Sequence, residues 1–286
     1  MAGRDVTRAQ AASRLLRLLR DSGVDSPEAD ARLMLQHVTG LSQIELLTHP
    51  ATPLSPNEVA GLEQMLAARL SGTPTSRLLG YRDFWGLRFH LSPDTLEPRP
   101  DSETVIEEAL ALMSQRSIVA PRILDLGTGS GCLLVALLSE WPQAVGLGID
   151  ISAGAVATAT RNAADNGVAE RAVFRQGSWI DGVSGPFDLL ISNPPYVAAD
   201  EIAGLAREVR EHDPLRALDG GPDGLDPYRQ IIPALPRLLA SDGAAVLEIG
   251  AGQHAAILAL ARACGMTGHS SRTDLGGHIR AVGLWR

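Results

Sequence analysis

The chain has 286 residues, 45% of them hydrophobic and 20% charged, which predicts a globular protein with one large and one smaller domain. Its formal charge is -8 and it contains no Lys, a balance that disfavours binding along nucleic acid, although a local Arg patch remains compatible with it. Two distant Cys and seven scattered His lack disulfide or metal-ligand spacing, and no bilayer-spanning or cleavable segment is present, so we expect a cytoplasmic protein without a metal.

Residues 1–74 are predicted to form a small helical domain, because apolar residues recur there at helical spacing between capping signals. Ser42 and Ser55 each precede a Glu by three residues, which is the spacing of a capping box. Residues 75–98 are predicted to form a β-hairpin linker, since apolar and polar side chains alternate over 87–91. We see no chemistry in the helical segment.

Residues 99–286 are predicted to form a doubly wound α/β domain, because strand and helix patterns alternate there. The predicted strands are 122–126, 144–150, 172–176, 189–193, 244–249 and 279–285. The predicted helices are one ending near 115, then 132–139, 153–166, 202–210, 228–239 and 255–264. Pro233 and Pro236 are expected to kink or shorten the helix that contains them.

A glycine-rich loop, Gly127-Thr128-Gly129-Ser130-Gly131, follows the first predicted strand of this domain. Alternate glycines let the backbone approach a ligand closely, and the next helix points its free N–H groups into the same crevice. A phosphate-binding P-loop needs Lys, and a dinucleotide fingerprint needs Gly where this chain has Cys132. The remaining ligand class is S-adenosylmethionine, which carries no phosphate.

Two further residues suit this ligand. Asp150 ends the second predicted strand about 20 residues after the glycine loop, the spacing of an acid that accepts hydrogen bonds from ribose hydroxyls. A lone Asp there is also typical of a helix N-cap, although Ser152 is better placed for capping. Trp179 follows the third predicted strand, where an adenine ring is expected, and is equally compatible with a position in the core.

Asn193-Pro194-Pro195-Tyr196 follow the fourth predicted strand and end it in a rigid, extended turn, because proline has no ladder donor and disfavours the α region before it. The carbonyls of such a turn can accept hydrogen bonds from a planar NH2 group, although the motif alone is equally compatible with a structural strand end. In a parallel sheet, the carboxyl ends of the first, second and fourth strands share one crevice. We therefore expect this turn to face the glycine loop.

Together these motifs resemble class I S-adenosylmethionine-dependent methyltransferases that modify planar nitrogens. Turns of the Asn-Pro-Pro-Tyr type are shared by adenine, guanine and glutamine methyltransferases, so the turn does not name the substrate. The flanking segments resemble the peptide chain release factor N5-glutamine methyltransferases (the HemK/PrmC family) over nearly the whole chain. These segments are 98–103, 123–132, 192–196, 209–211, 217–221, 224–225, 247–250 with Gln253, and 274–277 with Arg280.

The resemblance implies a mainly parallel seven-stranded sheet, with a small N-terminal helical domain joined by a β-hairpin, and the following activity. A methyl group passes from S-adenosylmethionine to the Gln side-chain amide in the Gly-Gly-Gln loop of class I release factors. The implied cofactor-binding residues are Gly127, Thr128, Gly129, Ser130, Gly131, Asp150, Trp179 and Asn193. The implied substrate-binding residues are Asn193, Pro194, Pro195 and Tyr196, of which Asn193, Pro194 and Tyr196 are catalytic.

Two positions depart from the family pattern: Ser178 stands where Asp is common, and 212–214 reads His-Asp-Pro where the family usually has Glu-Pro after an aromatic or similar residue. The expected protein is a monomer that contacts neither nucleic acid nor a membrane. A ribosomal-protein glutamine methyltransferase and an adenine or guanine N-methyltransferase remain alternatives, as does an inactive cofactor-binding interaction protein. The segment 98–103 favours release factors, and the intact turn disfavours an inactive protein.

Overall fold

The structure, a computed structural model, describes residues 6–286. The chain divides into two compact units, Met1–Gly80 and Tyr81–Arg286. Each unit buries a hydrophobic core of its own. Among the described residues, no helix is both long and apolar enough to cross a bilayer.

The first unit is helical, as predicted. Its helices are α1 (Arg8–Asp21), α2 (Pro27–Thr39), α3 (Gln43–Thr48), α4 (Pro56–Leu70) and α5 (Thr75–Leu79). The capping boxes predicted at Ser42 and Ser55 are confirmed, because each hydroxyl accepts a backbone N–H while the following Glu accepts the N–H of the Ser. The apolar faces of these helices meet in a core that includes Leu19, Met34 and Leu62.

The second unit begins with the hairpin β1 (Tyr81–Phe84) and β2 (Leu87–His90) and continues as a doubly wound sheet. Its further strands are β3 (Arg122–Leu126), β4 (Val145–Asp150), β5 (Ala172–Gln176), β6 (Phe187–Ser192), β7 (Leu239–Glu248), β8 (Gly268–Thr273) and β9 (Ile279–Trp285). Its helices are α6 (Glu103–Gln115), α7 (Cys132–Glu140), α8 (Ala153–Asp165), α9 (Arg207–His212), α10 (Asp226–Ile231), α11 (Leu235–Leu238) and α12 (His254–Ala263).

Seven strands of residues 81–286 form one sheet in the order β5-β4-β3-β6-β7-β9-β8. The first five in this order run parallel, whereas β9 pairs antiparallel with β7 and with β8. The expected neighbours of the first predicted strand are confirmed, because β3 lies between β4 and β6. Their carboxyl ends, which carry the glycine loop, Asp150 and the 193–196 turn, therefore meet at one edge.

Successive side chains of β3 point to opposite faces of the sheet and belong to two different hydrophobic cores, as a doubly wound sheet requires. Ile123 packs on the side of α6 and α7, while Leu124 packs on the side of α10, α11 and α12. These strands carry few polar residues because both faces of the sheet are covered. The loops that follow the parallel strands project from one edge of this sheet.

Four elements differ from their predicted forms. The predicted hairpin linker 75–98 begins with the helix α5, which is ended by Gly80, in a left-handed conformation, before the hairpin starts. The residue pattern does not predict strand β8, because its sequence, Gly-His-Ser-Ser-Arg-Thr, is polar. The strand lies at the edge of the sheet. The predicted helix 202–210 is a 3-10 turn at Ile202–Gly204 followed by α9. The predicted helix 228–239 is interrupted by a 3-10 turn at Ile232–Ala234, which agrees with the expected effect of its prolines.

Candidate active site

A cavity of about 440 Å³ opens at the carboxyl edge of the parallel strands. Its wall contains most of the predicted site residues, namely Gly127, Thr128, Gly129, Ser130, Asp150, Trp179, Asn193 and Pro195. Gly131, Pro194 and Tyr196 adjoin this wall in sequence without lining the cavity themselves. The expected convergence of the glycine loop and the 193–196 turn on one crevice is thus confirmed.

The glycine loop, residues 127–131, is fixed against β4 by backbone hydrogen bonds. The N–H groups of Gly127 and Thr128 both donate to the carbonyl of Ile149, at 2.8 and 2.9 Å. Gly131 has a φ of +80°, and a Cβ there would lie 3.0 Å from the Cβ of Ala159. A side chain at Gly131 would therefore strain the backbone and displace α8.

Asp150 lies directly beneath this loop. Its Oδ2 accepts the Gly129 N–H at 2.8 Å, and its Oδ1 accepts the Ser152 N–H at 2.9 Å. The hydroxyl of Ser152 accepts the N–H of Ala155 and caps α8, so Asp150 is not needed for capping. Burial raises the pKa of Asp150, although these two N–H groups oppose the rise. Each carboxylate oxygen keeps capacity to accept another hydrogen bond.

Trp179 lies both at the cavity wall and against the core, the two positions that its sequence context allowed. It lines the cavity, and its ring also packs against the core under β4. The ring covers Gly127, since a Cβ on that glycine would lie 3.4 Å from the Cζ3 atom of Trp179. Ser178 lines the cavity beside it. Ile151, which the sequence reasoning missed, adds an exposed apolar surface to the same wall.

The 193–196 turn is held from behind by side chains of other elements. Ser192 donates its hydroxyl to the carbonyl of Leu126 at 2.6 Å, which joins the ends of β6 and β3. Asn193 Nδ2 donates to Ser102 Oγ at 3.1 Å. An amide nitrogen only donates, so Asn193 Oδ1 is the atom of this side chain that can accept a hydrogen bond from a ligand. Ser102 directly precedes α6, and its side chain does not cap that helix.

The phenol of Tyr196 points away from the cavity wall toward Glu248. Its hydroxyl donates to Glu248 Oε1 at 3.3 Å, and its backbone carbonyl accepts from Gln253 Nε2 at 3.0 Å. Burial and the nearby Glu248 raise the pKa of Tyr196, so the hydroxyl stays protonated. Tyr196 therefore supports the turn and is not placed as an acid or a base at the cavity.

Two ion pairs connect residues 94–99 with residues 213–216 at the border of the cavity. Arg216 Nη2 lies 3.0 Å from Asp94 Oδ1, and Arg99 Nη2 lies 2.6 Å from Asp213 Oδ2. The Glu97 N–H also donates to Asp213 at 3.1 Å. Asp213, shorter than the Glu common in the family, thus still anchors the segment before α6. No pattern in the sequence predicts these pairs, because their members lie far apart along the chain.

Two buried acids near the site are expected to make stability depend on pH. Burial raises the pKa of Asp125 to about 7 and that of Glu248 to about 7. The folded protein therefore holds protons that the unfolded chain has already lost, starting from ordinary pKa values of 3.8 and 4.5. The free energy of unfolding should fall as pH rises from these ordinary pKa values to about 7. The fall should be up to about 1.4 kcal/mol per pH unit for each group.

Denaturant titrations at a series of pH values test this expectation. Asp125→Asn and Glu248→Gln should each flatten the decline, because neither replacement titrates. A decline that is unchanged in both variants would contradict the assignment of the two raised pKa values.

Within residues 6–286, no cluster of His, Cys, Asp or Glu has the geometry to hold a metal ion. Two family models match the chain. The PrmC N-terminal domain matches residues 10–80, and the methyltransferase small domain matches residues 106–211.

Curated relatives cover nearly the whole chain. The release factor glutamine methyltransferase of Rhodospirillum rubrum is 47% identical over 264 residues, covering 92% of this chain and 80% of that protein. The release factor glutamine methyltransferase of Bradyrhizobium diazoefficiens is 45% identical over 266 residues, covering 92% and 90%. Among solved structures, the hMettl16 catalytic domain in complex with MAT2A 3'UTR hairpin 6 has a TM-score of 0.56 at 17% identity, covering 77% and 81%. At that identity the likeness shows a shared fold alone.

The strand order, the glycine loop above Asp150 and the methyltransferase family model define a class I S-adenosylmethionine-dependent methyltransferase. The curated relatives narrow this class, because the identity extends through both units of the chain. The chain belongs to the release factor glutamine methyltransferase family.

Proposed function

We propose that this protein methylates the side-chain amide nitrogen of the Gln in the Gly-Gly-Gln loop of class I peptide chain release factors. One observation carries the proposal. Asn193 lines the cavity together with the glycine loop, and its Nδ2 donates to Ser102, so its Oδ1 is the atom of this side chain that can accept an N–H of the substrate amide. The names of the curated relatives supply the substrate. The reaction would take place in the cytoplasm, where release factors act.

The cavity wall fits S-adenosylmethionine. The glycine loop offers close backbone approach, and Asp150 offers carboxylate oxygens to two ribose hydroxyls. Trp179 and Ile151 offer apolar surface to a purine. Gly127, Thr128, Gly129, Ser130, Gly131, Asp150, Trp179 and Asn193 are the proposed cofactor-binding residues. When bound, the cofactor supplies an electrophilic methyl group on a sulfonium sulfur.

The 193–196 turn would orient the acceptor amide. An amide nitrogen is a weak nucleophile because its lone pair is delocalised into the carbonyl. If Asn193 Oδ1 and the Pro194 carbonyl each accept one N–H, the lone pair is aimed at the methyl group and developing positive charge is stabilised. The N–C bond would form as the C–S bond breaks, and one amide proton would leave to solvent afterwards. No general base is needed before transfer.

A comparison of acceptors tests this function. The protein is incubated with methyl-labelled S-adenosylmethionine and, separately, a class I release factor, a ribosomal-protein mixture, and an adenine- and guanine-containing oligonucleotide. We expect label on the release factor alone. Label that appears only on ribosomal protein or on the oligonucleotide would replace the proposal with one of the alternatives, and label on none would support an inactive cofactor-binding protein.

A further inference from the structure

Asn162 is a buried polar residue behind the glycine loop, and the proposed reaction does not use it. It lies on α8, its residue surface is 0% exposed, and it does not line the cavity. Burying an amide side chain is costly unless hydrogen bonds compensate. The partners that compensate Asn162 belong to the glycine loop and to the end of the β1–β2 hairpin.

Three hydrogen bonds fix the orientation of this side chain. Asn162 Nδ2 donates to the carbonyl of Ser130 at 2.8 Å and to the carbonyl of His90 at 3.1 Å. Asn162 Oδ1 accepts the N–H of His90 at 2.8 Å. A reversed amide would place its oxygen against two carbonyls and its NH2 group against an N–H. The backbone of His90 therefore decides that Ser130 meets the donor end of Asn162.

The carbonyl of Ser130 is a point at which the second half of the glycine loop is fixed. The first half is held by β4 and by Asp150, as described above. The Ser130–Gly131 peptide has its N–H on the carbonyl of Thr128, at 2.8 Å, and its own carbonyl on Asn162. Ser130 itself lines the cavity, so the orientation of this peptide shapes the cavity wall.

The glycine at position 131 makes this peptide easy to reverse. Reversal changes the ψ of Ser130 and the φ of Gly131, and glycine adopts φ values of either sign. Because the C=O and N–H of a trans peptide point in opposite directions, reversal would turn the Ser130 carbonyl toward the carbonyl of Thr128. The hydrogen bond from Asn162 opposes this change.

From this geometry we propose that Asn162 is a positioning residue for S-adenosylmethionine. It holds the glycine loop in its binding conformation through the Ser130 carbonyl, and it couples that loop to the end of the hairpin through His90. The inference rests on the proposed function, since it takes the loop 127–131 to contact the cofactor. It goes beyond that function in naming a residue outside the cavity that sets cofactor affinity and in giving the hairpin a part in cofactor binding.

Asn162→Ala is the direct test, because it removes the donor to Ser130 and leaves every residue of the cavity wall in place. We expect the Kd for S-adenosylmethionine to rise about tenfold, as for the loss of one hydrogen bond that holds the binding conformation. The kcat with a release factor at saturating cofactor should stay within about threefold of wild type, because the 193–196 turn is untouched. An unchanged Kd, or a loss confined to kcat, would overturn the inference.

Asn166→Ala is the matched control. Asn166 directly follows α8, and its Nδ2 donates to the carbonyl of Arg88 at 2.9 Å, so it also joins this helix to the hairpin. It makes no hydrogen bond to the glycine loop. Its replacement should leave the Kd for S-adenosylmethionine within about twofold of wild type, even where stability falls. An equal rise in both variants would assign the effect to the packing of helix on hairpin and would overturn the inference.

Amide hydrogen exchange separates positioning from a merely structural role. In Asn162→Ala, the N–H of Gly131 should exchange at least about tenfold faster than in wild type, because its peptide can reverse. The N–H groups of Gly127 and Thr128 donate to Ile149 and should keep their protection. A general loss of stability would speed all three alike, and that result would contradict a specific role.

The wild-type protein provides a test that does not depend on the folding of a variant. Binding of S-adenosylhomocysteine should shift the NMR signals of the Asn162 side-chain NH2 group and leave those of Asn166 in place. No shift at Asn162 would overturn the inference. A wild-type protein that binds neither form of the cofactor would overturn the proposed cofactor site and this inference with it, whereas one that binds the cofactor without methylating the release factor would overturn the proposed acceptor alone.

Discussion

Replacing Asn193 by Ala is expected to lower kcat by between about 100- and 1000-fold, on the order of 3 kcal/mol in transition-state stabilisation. The substitution removes the oxygen proposed to accept one N–H of the substrate amide, and positive charge on that nitrogen grows only as the methyl group transfers. It also breaks the hydrogen bond to Ser102, which holds the end of β6. The loss should therefore fall on kcat more than on the KM for the release factor.

Single-turnover measurements with excess enzyme check this expectation. Asn57→Ala, at an exposed asparagine of α4, is the control for the general effect of the replacement. Asn193→Asp keeps an oxygen but cannot donate to Ser102, so it should be slower than wild type and faster than the Ala variant. Near-normal turnover by Asn193→Ala would rule out the proposed role of this side chain.

Replacing Asp150 by Ala is expected to raise the Kd for S-adenosylmethionine by at least about 100-fold. Two hydroxyl groups of the ribose lose a charged acceptor, and hydrogen bonds to charged groups contribute about 1.5 to 3 kcal/mol each. The Gly129 N–H loses its partner at the same time, so the glycine loop is less well fixed. Turnover at saturating cofactor should recover much of the wild-type rate, because Asp150 does not contact the acceptor turn.

Isothermal titration with S-adenosylmethionine and with S-adenosylhomocysteine measures the change in affinity. Asp242→Ala is the control, because Asp242 is an exposed acid in the amino-terminal half of β7, away from the carboxyl edge that carries the cavity. A Kd within about threefold of wild type would show that Asp150 does not hold the ribose, since the loss of even one such hydrogen bond should exceed that factor.

The motifs of the site could be predicted because each one is local in sequence. Gly127 to Gly131, Asp150 and Asn193 lie at the ends of strands, where residue pattern and loop chemistry indicate position directly. Their convergence followed from the rule that parallel strands end at one edge. The release factor as substrate came from the family resemblance, since the turn itself suits glutamine and purine amino groups alike.

The contacts that support the site could not be predicted in this way. Ser102 and Asn193 are separated by 91 positions, and Arg216 and Asp94 by 122, so only the folded chain brings them together. The hydrogen bond from Tyr196 to Glu248 joins residues 52 positions apart and is hidden from the sequence for the same reason. The edge strand β8 was missed because its exposed side chains are polar, and strand patterns depend on burial.

Mapping the methyl group by tandem mass spectrometry tests whether the loop Gln of the release factor is the acceptor. A class I release factor is incubated with the protein and S-adenosylmethionine, beside a release factor whose loop Gln is replaced by Ala and beside the Asn193→Ala enzyme. We expect one added methyl group on the side-chain nitrogen of the loop Gln, none on the Gln-to-Ala factor, and little with the Asn193→Ala enzyme. Methylation at another residue, or equal methylation of both factors, would contradict it.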